Sequence, residues 1–206
     1  MNEQHGVVGS SLNLAVRLLR QGKIVAFPTE TYYGLAVDPD CASAVGQLFA
    51  VKNRQEHKPL LLLIEKEAQL ATLVQDVPSE YRSMIATYWP GPLTLVFQAK
   101  ATVNPLITGN SGTIGVRISP HPVARELVRL MGKPITATSA NISGLPPARS
   151  AQEVQAMLGD KIAYIVDGGP TAAGLCSTVV ALQNGRLALL RRGQIALPEL
   201  QSNQEK

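Results

Sequence analysis

The stretch Val179-Val180-Ala181-Leu182-Gln183-Asn184-Gly185-Arg186-Leu187-Ala188-Leu189-Leu190 decides the fold class. Two apolar runs flank Asn184-Gly185, and both turn residues tolerate positive φ, so the segment reads as a tight antiparallel hairpin. Upstream the pattern changes. Apolar runs of strand length at 24–27, 60–64, 93–97, 114–118, 135–138 and 162–166 alternate with helical periodicity. Leu12, Ala15, Val16 and Leu19 share one helix face, with Ser10-Ser11 to cap it and Gly22 to end it. Asp40 is placed to cap a second helix that turns Ala44, Val45, Leu48 and Phe49 inward. Helices are also predicted over 78–89, stopped by Pro90-Gly91-Pro92, over 121–131, ended by Gly132, and over 150–158. Interleaved strands and helices predict an α/β chain with a mixed sheet, the hairpin supplying its antiparallel part.

Length and composition narrow the classes. A chain of 206 residues with 45% hydrophobic and 17% charged residues is one globular domain by size. The expected domain spans 1–206, with a folded core at about 9–200 and a frayed polar end at 201–206. A net charge of +4 permits an anionic partner without requiring one. Cys41 and Cys176 stand far apart, and His5, His57 and His121 share no ligand spacing, so no zinc site is expected. Asp38, Asp40 and Asp76 form no motif for a dedicated metal. The first ten residues lack a signal pattern, and the apolar run at 60–64 is too short to cross a bilayer. A cytoplasmic protein with reduced thiols and no membrane contact is therefore expected. With no Walker glycine loop, any nucleotide would be held by side chains. No Ser/His/Asp signature is present.

Polar residues cluster where strands give way to loops, the place where ligands collect in open α/β sheets. Pro28-Thr29-Glu30-Thr31 follows the first predicted strand, and Ser139-Ala140-Asn141 follows the fifth. Arg117 falls inside the fourth, and Arg191-Arg192 follow the last. Lys52-Asn53-Arg54 stands at a helix end, where a cation also complements the helix dipole. Each cluster has a structural reading: a dipole partner, a hydroxyl or Asx turn, or an internal salt bridge for Arg117. The ligand reading gives lysine as a point charge, arginine as a planar fork for phosphate or carboxylate, and Ser139 and Asn141 as readers of a polar edge.

The segments FPTETYYGLA, KNRQEHKPL, YWPGPLTLVF, GVRISPHP, TSANISGLPP, IVDGGP, STVV and LLRRG, in this order, resemble the YrdC-like family over about 24–193. The resemblance implies a twisted α/β sheet, parallel and antiparallel, flanked by helices, with a large concave basic cavity. It implies an L-threonylcarbamoyladenylate synthase, a nucleotidyltransferase that makes threonylcarbamoyl-AMP and pyrophosphate from L-threonine, bicarbonate or CO2, and ATP. The product would serve modification of tRNA beside the anticodon, together with TsaB, TsaD and TsaE. ATP is then a substrate, Mg2+ is expected with it, and no prosthetic group is implied. Lys52 and Arg54 match the family's KxR motif and would be catalytic; Ser139 and Asn141 match its SxN motif. Arg54, Lys58, Thr113, Asn141, Arg149 and Arg191 match positions that hold ATP. Thr31, Arg117, Ser139 and Ser177 match positions that hold L-threonine. Longer relatives carry a histidine contacting threonine where this chain has Leu63.

Two other classes compete. An RNA-binding, ribosome-maturation protein would suit the basic charge, but no RRM, KH or double-stranded-RNA motif occurs and aromatics are only 4% of residues. A carbamoyl-AMP-forming domain would keep the fold and change the substrate. In that family it sits in longer chains with Cys-rich parts, and no such segment occurs here.

Overall fold

The computed structural model describes residues 6–172 and 174–200. The expected frayed end at 201–206 lies outside the described residues. Ten strands form one sheet: β1 (Val7–Gly9), β2 (Val25–Phe27), β3 (Gly34–Ala36), β4 (Leu61–Leu63), β5 (Leu93–Gln98), β6 (Thr113–Arg117), β7 (Ile135–Ser139), β8 (Tyr164–Val166), β9 (Thr178–Gln183) and β10 (Arg186–Arg191). The helices are α1 (Leu12–Arg20), α2 (Ala42–Lys52), α3 (Leu70–Leu73), α4 (Arg82–Tyr88), α5 (Pro105–Thr108), α6 (Pro122–Met131) and α7 (Ala151–Leu158). None of them is long and apolar enough to cross a membrane.

The strand order is β1-β8-β2-β3-β7-β4-β6-β5-β9-β10. The sheet is mixed, as the sequence predicts, but the hairpin is not its sole antiparallel part. β2 with β3, β3 with β7, β4 with β7 and β5 with β6 are antiparallel as well. β3 with β7 and β4 with β7 join segments far apart in the chain, and the loops between β2 and β3 and between β5 and β6 carry no two-residue turn signal to announce the pairing. The Asn184-Gly185 turn forms as expected: both residues have positive φ (51° and 72°), and Arg186 pairs with Gln183.

Alternation along each strand divides the core into two layers. Ala26, Leu35, Leu62, Leu95, Val116 and Val180 point to one face, where they meet α2, α4 and α7 through Leu48, Ile85 and Val154. Val25, Phe27, Ala36, Ile135 and Val166 point to the other, under α1 and α6 through Val16, Leu19, Leu127 and Met131. α1 and α6 pack on each other across the β1–β7 side of the sheet. Among the described residues no side chain of β5, β6, β9 or β10 joins this second layer, and their uncovered face becomes the floor of the site described below.

Local differences from the sequence reading have physical causes. Cys41, not Asp40, occupies the N-cap position of α2 and makes no side-chain cap bond, while the Asp38 and Asp40 carboxylates pair with Lys133 Nζ at 2.7 and 2.8 Å. The predicted helix over 78–89 begins as a 3-10 turn at Ser79–Tyr81 and ends ahead of Pro90. β1, β3, α3 and α5 are three or four residues each, too short to leave a periodic signal.

Candidate functional site

The end of α2 is where the Lys-x-Arg spacing acquires meaning. Lys52 is the last helical residue, and Asn53 caps it in the left-handed region at φ 48°. That reversal separates the two cations. Lys52 turns inward and is 1% exposed. Its Nζ donates to the Ser139 carbonyl, to the Asn141 carbonyl at 2.8 Å and to Asn141 Oδ1 at 3.0 Å. Its own carbonyl accepts from Ser143 N at 2.8 Å. Arg54 emerges on the other side, into a cavity of about 370 Å³.

That cavity lies on the uncovered sheet face and gathers most of the predicted residues. Arg54, Arg117 and Arg191 line it, with Thr31, Thr113, Ser139 and Ser177. Four predicted residues stand elsewhere. Lys52 and Asn141 lie behind the wall, where they hold its loop. Asn141 Oδ1 accepts from Ser139 Oγ at 2.6 Å, and its Nδ2 donates to the Leu145 carbonyl at 2.6 Å. Placement at the cavity, which the ligand reading requires of these motif residues, thus holds for Arg54, Arg117 and Ser139. It does not hold for Lys52 and Asn141, because a buried ammonium and a buried amide take the nearest backbone oxygens. Lys58 and Arg149 are exposed outside the lining; Arg149 N donates to Glu153 Oε2 at 2.8 Å. Leu63 is fully buried, in the layer under α1 and α6.

Hydroxyls and arginines set the chemistry of the walls. Thr29 Oγ1 donates to the Tyr32 carbonyl at 2.7 Å and lies 3.0 Å from Thr31 Oγ1, which folds the loop after β2 over the cavity. Arg191 donates twice to the Ser177 carbonyl, at 2.9 and 3.1 Å, and once to Ser177 Oγ at 3.0 Å. Ser177 Oγ also lies 2.9 Å from Thr94 Oγ1. Arg117, 4% exposed, ends β6 and makes one charge contact, Nε to Glu30 Oε1 at 3.3 Å. Ser119 Oγ donates to the other oxygen of that carboxylate.

The cations are not at ease. Burial pushes the Lys52 ammonium down to about 7, and the Arg54 charge adds to the shift. Burial also lowers Arg54, with Arg191 repelling it. Arg117 is lowered by burial and by Arg191, against the pull of Glu30. Arg54 Nε, Arg117 Nε and Glu30 Oε1 are buried with no hydrogen-bond partner among the described residues. Three guanidiniums converging on one hollow, with donors unspent, suit an anionic ligand.

Sequence reasoning missed part of the wall. Thr94, Val96 and Gly115 form the floor, and Cys176 and Tyr32 stand beside them. Reading strand ends alone hid the floor, because the cavity extends over the sheet face as well. A signal was present: Thr94 and Val96 alternate with the core residues Leu93, Leu95 and Phe97, and Thr113, Gly115 and Arg117 with Ile114 and Val116. Small and polar residues every second position, in adjacent strands, mark a face that nothing apolar covers.

The fold and site define a class: open mixed-sheet α/β proteins whose half-covered sheet face carries an arginine-lined cavity. The pattern shared by the Sua5, YciO and YrdC proteins, described as "Telomere recombination", matches residues 17–193, and the chain belongs to that family. It is 40% identical over 190 residues to the threonylcarbamoyl-AMP synthase of Pyrococcus abyssi, covering 92% of this chain and 56% of that protein. It is 39% identical over 160 residues to the threonylcarbamoyl-AMP synthase of Photobacterium profundum, covering 77% of this chain and 86% of that protein. The crystal structure of P. abyssi Sua5 complexed with L-threonine superimposes with a TM-score of 0.89 at 39% identity, over 94% of this chain and 58% of that one. The chain thus spans just over half the length of the P. abyssi relative.

Proposed function

We propose that this chain is an L-threonylcarbamoyladenylate synthase, a nucleotidyltransferase that joins L-threonine, bicarbonate or CO2, and ATP into threonylcarbamoyl-AMP with release of pyrophosphate. One observation carries the reading. Arg54, Arg117 and Arg191 share a cavity, and the buried Nε atoms of Arg54 and Arg117 have no hydrogen-bond partner among the described residues. Two anions, a carboxylate and a triphosphate, supply what such a cavity lacks. The relatives' names and the threonine-bound Sua5 structure say which anions to try first.

In this reading Arg117 pairs with the threonine carboxylate, and Thr31, Ser139 and Ser177 bond its polar groups. Arg54 and Arg191 face the ATP phosphates with Thr113; Lys58 and Arg149 reach in from the exposed rim. Lys52 and Asn141 serve by fixing the loop that carries Ser139. The threonine amine adds to CO2 with loss of a proton, or to bicarbonate with loss of water, to give a carbamate. A carbamate oxygen then attacks the α-phosphorus in line, and pyrophosphate leaves. The attacking oxygen is already anionic, so positioning and charge stabilisation carry the step. No group of three His, Cys, Asp or Glu side chains forms a metal cage among the described residues. The Mg2+ we expect would therefore arrive on the phosphate oxygens, where it offsets their charge.

The chain acts as one domain in the cytoplasm, without a prosthetic group. It passes its labile product to a tRNA-modifying partner set of the TsaB, TsaD and TsaE kind, and direct RNA contact is not needed for the chemistry. The test is pyrophosphate release from purified protein. It should need L-threonine and bicarbonate together. Release that is indifferent to threonine, or that needs carbamoyl phosphate instead, would defeat the reading.

A further inference from the structure

We propose that Glu30 is a positioning residue that holds the Arg117 guanidinium in place to receive the carboxylate of an amino-acid ligand; this rests on the functional reading above. Glu30 falls within the FPTETYYGLA segment, but the resemblance assigns it no ligand contact, and its side chain is not part of the cavity lining. It stands behind Arg117, with side chains 11% and 5% exposed respectively.

Arg117 is in an adverse position without it. The guanidinium is buried, and the charge of Arg191 works against it. Arg54 shares the same cavity. Glu30 is the only carboxylate in ion-pair contact with any of these three arginines among the described residues. An unpaired buried cation beside two others would leave its place or draw in water.

The manner of the contact matters as much as its presence. Nε and Oε1 are 3.3 Å apart, yet neither atom is in a hydrogen bond among the described residues. The pair is held by charge, and the Arg117 Nε donor stays unspent. A ligand carboxylate can take two guanidinium donors side by side, the arrangement that makes arginine selective for carboxylates. Glu30 is itself pinned from the far side. Ser119 Oγ donates to its Oε2, and the same oxygen of Ser119 accepts from His121 N at 3.2 Å, at the cap of α6. The line from α6 through Ser119 and Glu30 to Arg117 therefore sets the guanidinium before any ligand arrives, and spares the ligand the cost of ordering it.

The experiment compares L-threonine with L-threoninol, which keeps the ammonium and hydroxyl and lacks the carboxylate, by titration calorimetry on the full chain. Wild-type protein should prefer threonine. Glu30→Gln should lose at least about tenfold in threonine affinity while threoninol binding stays put, so the ratio collapses. Ser119→Ala keeps the charge and frees its orientation; the ratio should fall in the same direction by a smaller factor. Urea unfolding reports whether each variant is folded, and should Glu30→Gln not fold, Ser119→Ala decides. A wild-type ratio in the folded variants, or tighter threonine binding by Glu30→Gln, overturns the assignment. Wild-type protein that binds no L-threonine at all defeats the functional reading instead.

Discussion

Lys52 Nζ lies 2.8 Å from the carbonyl oxygen of Asn141 and 3.0 Å from its side-chain oxygen, beneath the loop that follows β7. An ammonium has three hydrogens, and the Ser139 carbonyl supplies the third acceptor. The lysine is therefore a fastener for the Ser139–Asn141 loop, whereas Arg54, two residues on, is part of the cavity wall.

This division predicts different penalties for the two members of one motif. Lys52→Ala removes three hydrogen bonds from the Ser139–Asn141 loop, leaving Asn141 Oδ1 only its bond from Ser139 Oγ, and should cost about 1–3 kcal/mol of stability along with activity. Arg54→Ala removes a charge from the wall; it should slow adenylate formation by roughly 10²-fold, the scale for losing one charge-stabilising donor, with stability nearly unchanged. Urea titration beside pyrophosphate release tests both. Equal stability losses in the two variants would contradict the division.

Gly193 packs against the chain that carries Ser177. A Cβ there would run into Thr178 N, the Cys176 carbonyl and Ser177 C, all backbone atoms with no side chain to swing away. Gly193→Ala should therefore destabilise by several kcal/mol, at least about 3, within the range of severe single substitutions. A midpoint in urea like that of the wild type would show that the strand can shift at no cost.

Gly115 sits in the floor of the cavity, and a Cβ there would come within 3.1 Å of Thr94 Cγ2 and 3.6 Å of Leu61 Cδ1. A larger side chain projects into space a ligand would use. Gly115→Val should cut the affinity for ATP or threonine by about tenfold or more, through lost volume, while the fold survives. Calorimetric titration of each ligand shows which of them lies over the floor; undiminished affinity for both would place the ligands away from β6.

Tyr81 is fully buried beneath β5, its hydroxyl donating to the Val96 carbonyl at 2.7 Å. Burial raises its pKa to about 12, against an ordinary value of 10.0. Between these two values the unfolded chain gives up the phenolic proton and the folded chain keeps it. The native state then holds more protons, so stability falls as pH rises through that window and levels off above it. Tyr81→Phe removes this part of the decline. The difference between wild type and variant in unfolding free energy, measured from pH 9 to pH 12, should shrink with rising pH; a constant difference would mean the phenol ionises freely in the folded state.

How much was legible follows from the range of the interactions involved. α1, α6 and the β9–β10 hairpin are fixed by neighbours in the chain, through cap, periodicity and turn, and their reading holds. β3 is three residues inside a segment rich in hydroxyls and tyrosines, and it becomes a strand because β2 and β7 flank it. The arginines were legible as cations in odd places. Their convergence on one site was expected from strand-end placement and the family resemblance, and it is the meeting of β6, β10 and the end of α2 that brings Arg54, Arg117 and Arg191 together.

The amino-acid sequence by itself determined the α/β class, the interleaving of strands and helices, the family, and the residue types that a site could use. These follow from local preferences and from motif order, which need no knowledge of distant contacts. The tertiary structure alone decided that one half of a sheet face stays bare, that Lys52 and Asn141 brace a loop instead of facing the cavity, and that Glu30 stands behind Arg117. Burial and pairing between remote segments set those outcomes, because a charged group's role depends on which oxygens and which other charges the fold brings to it.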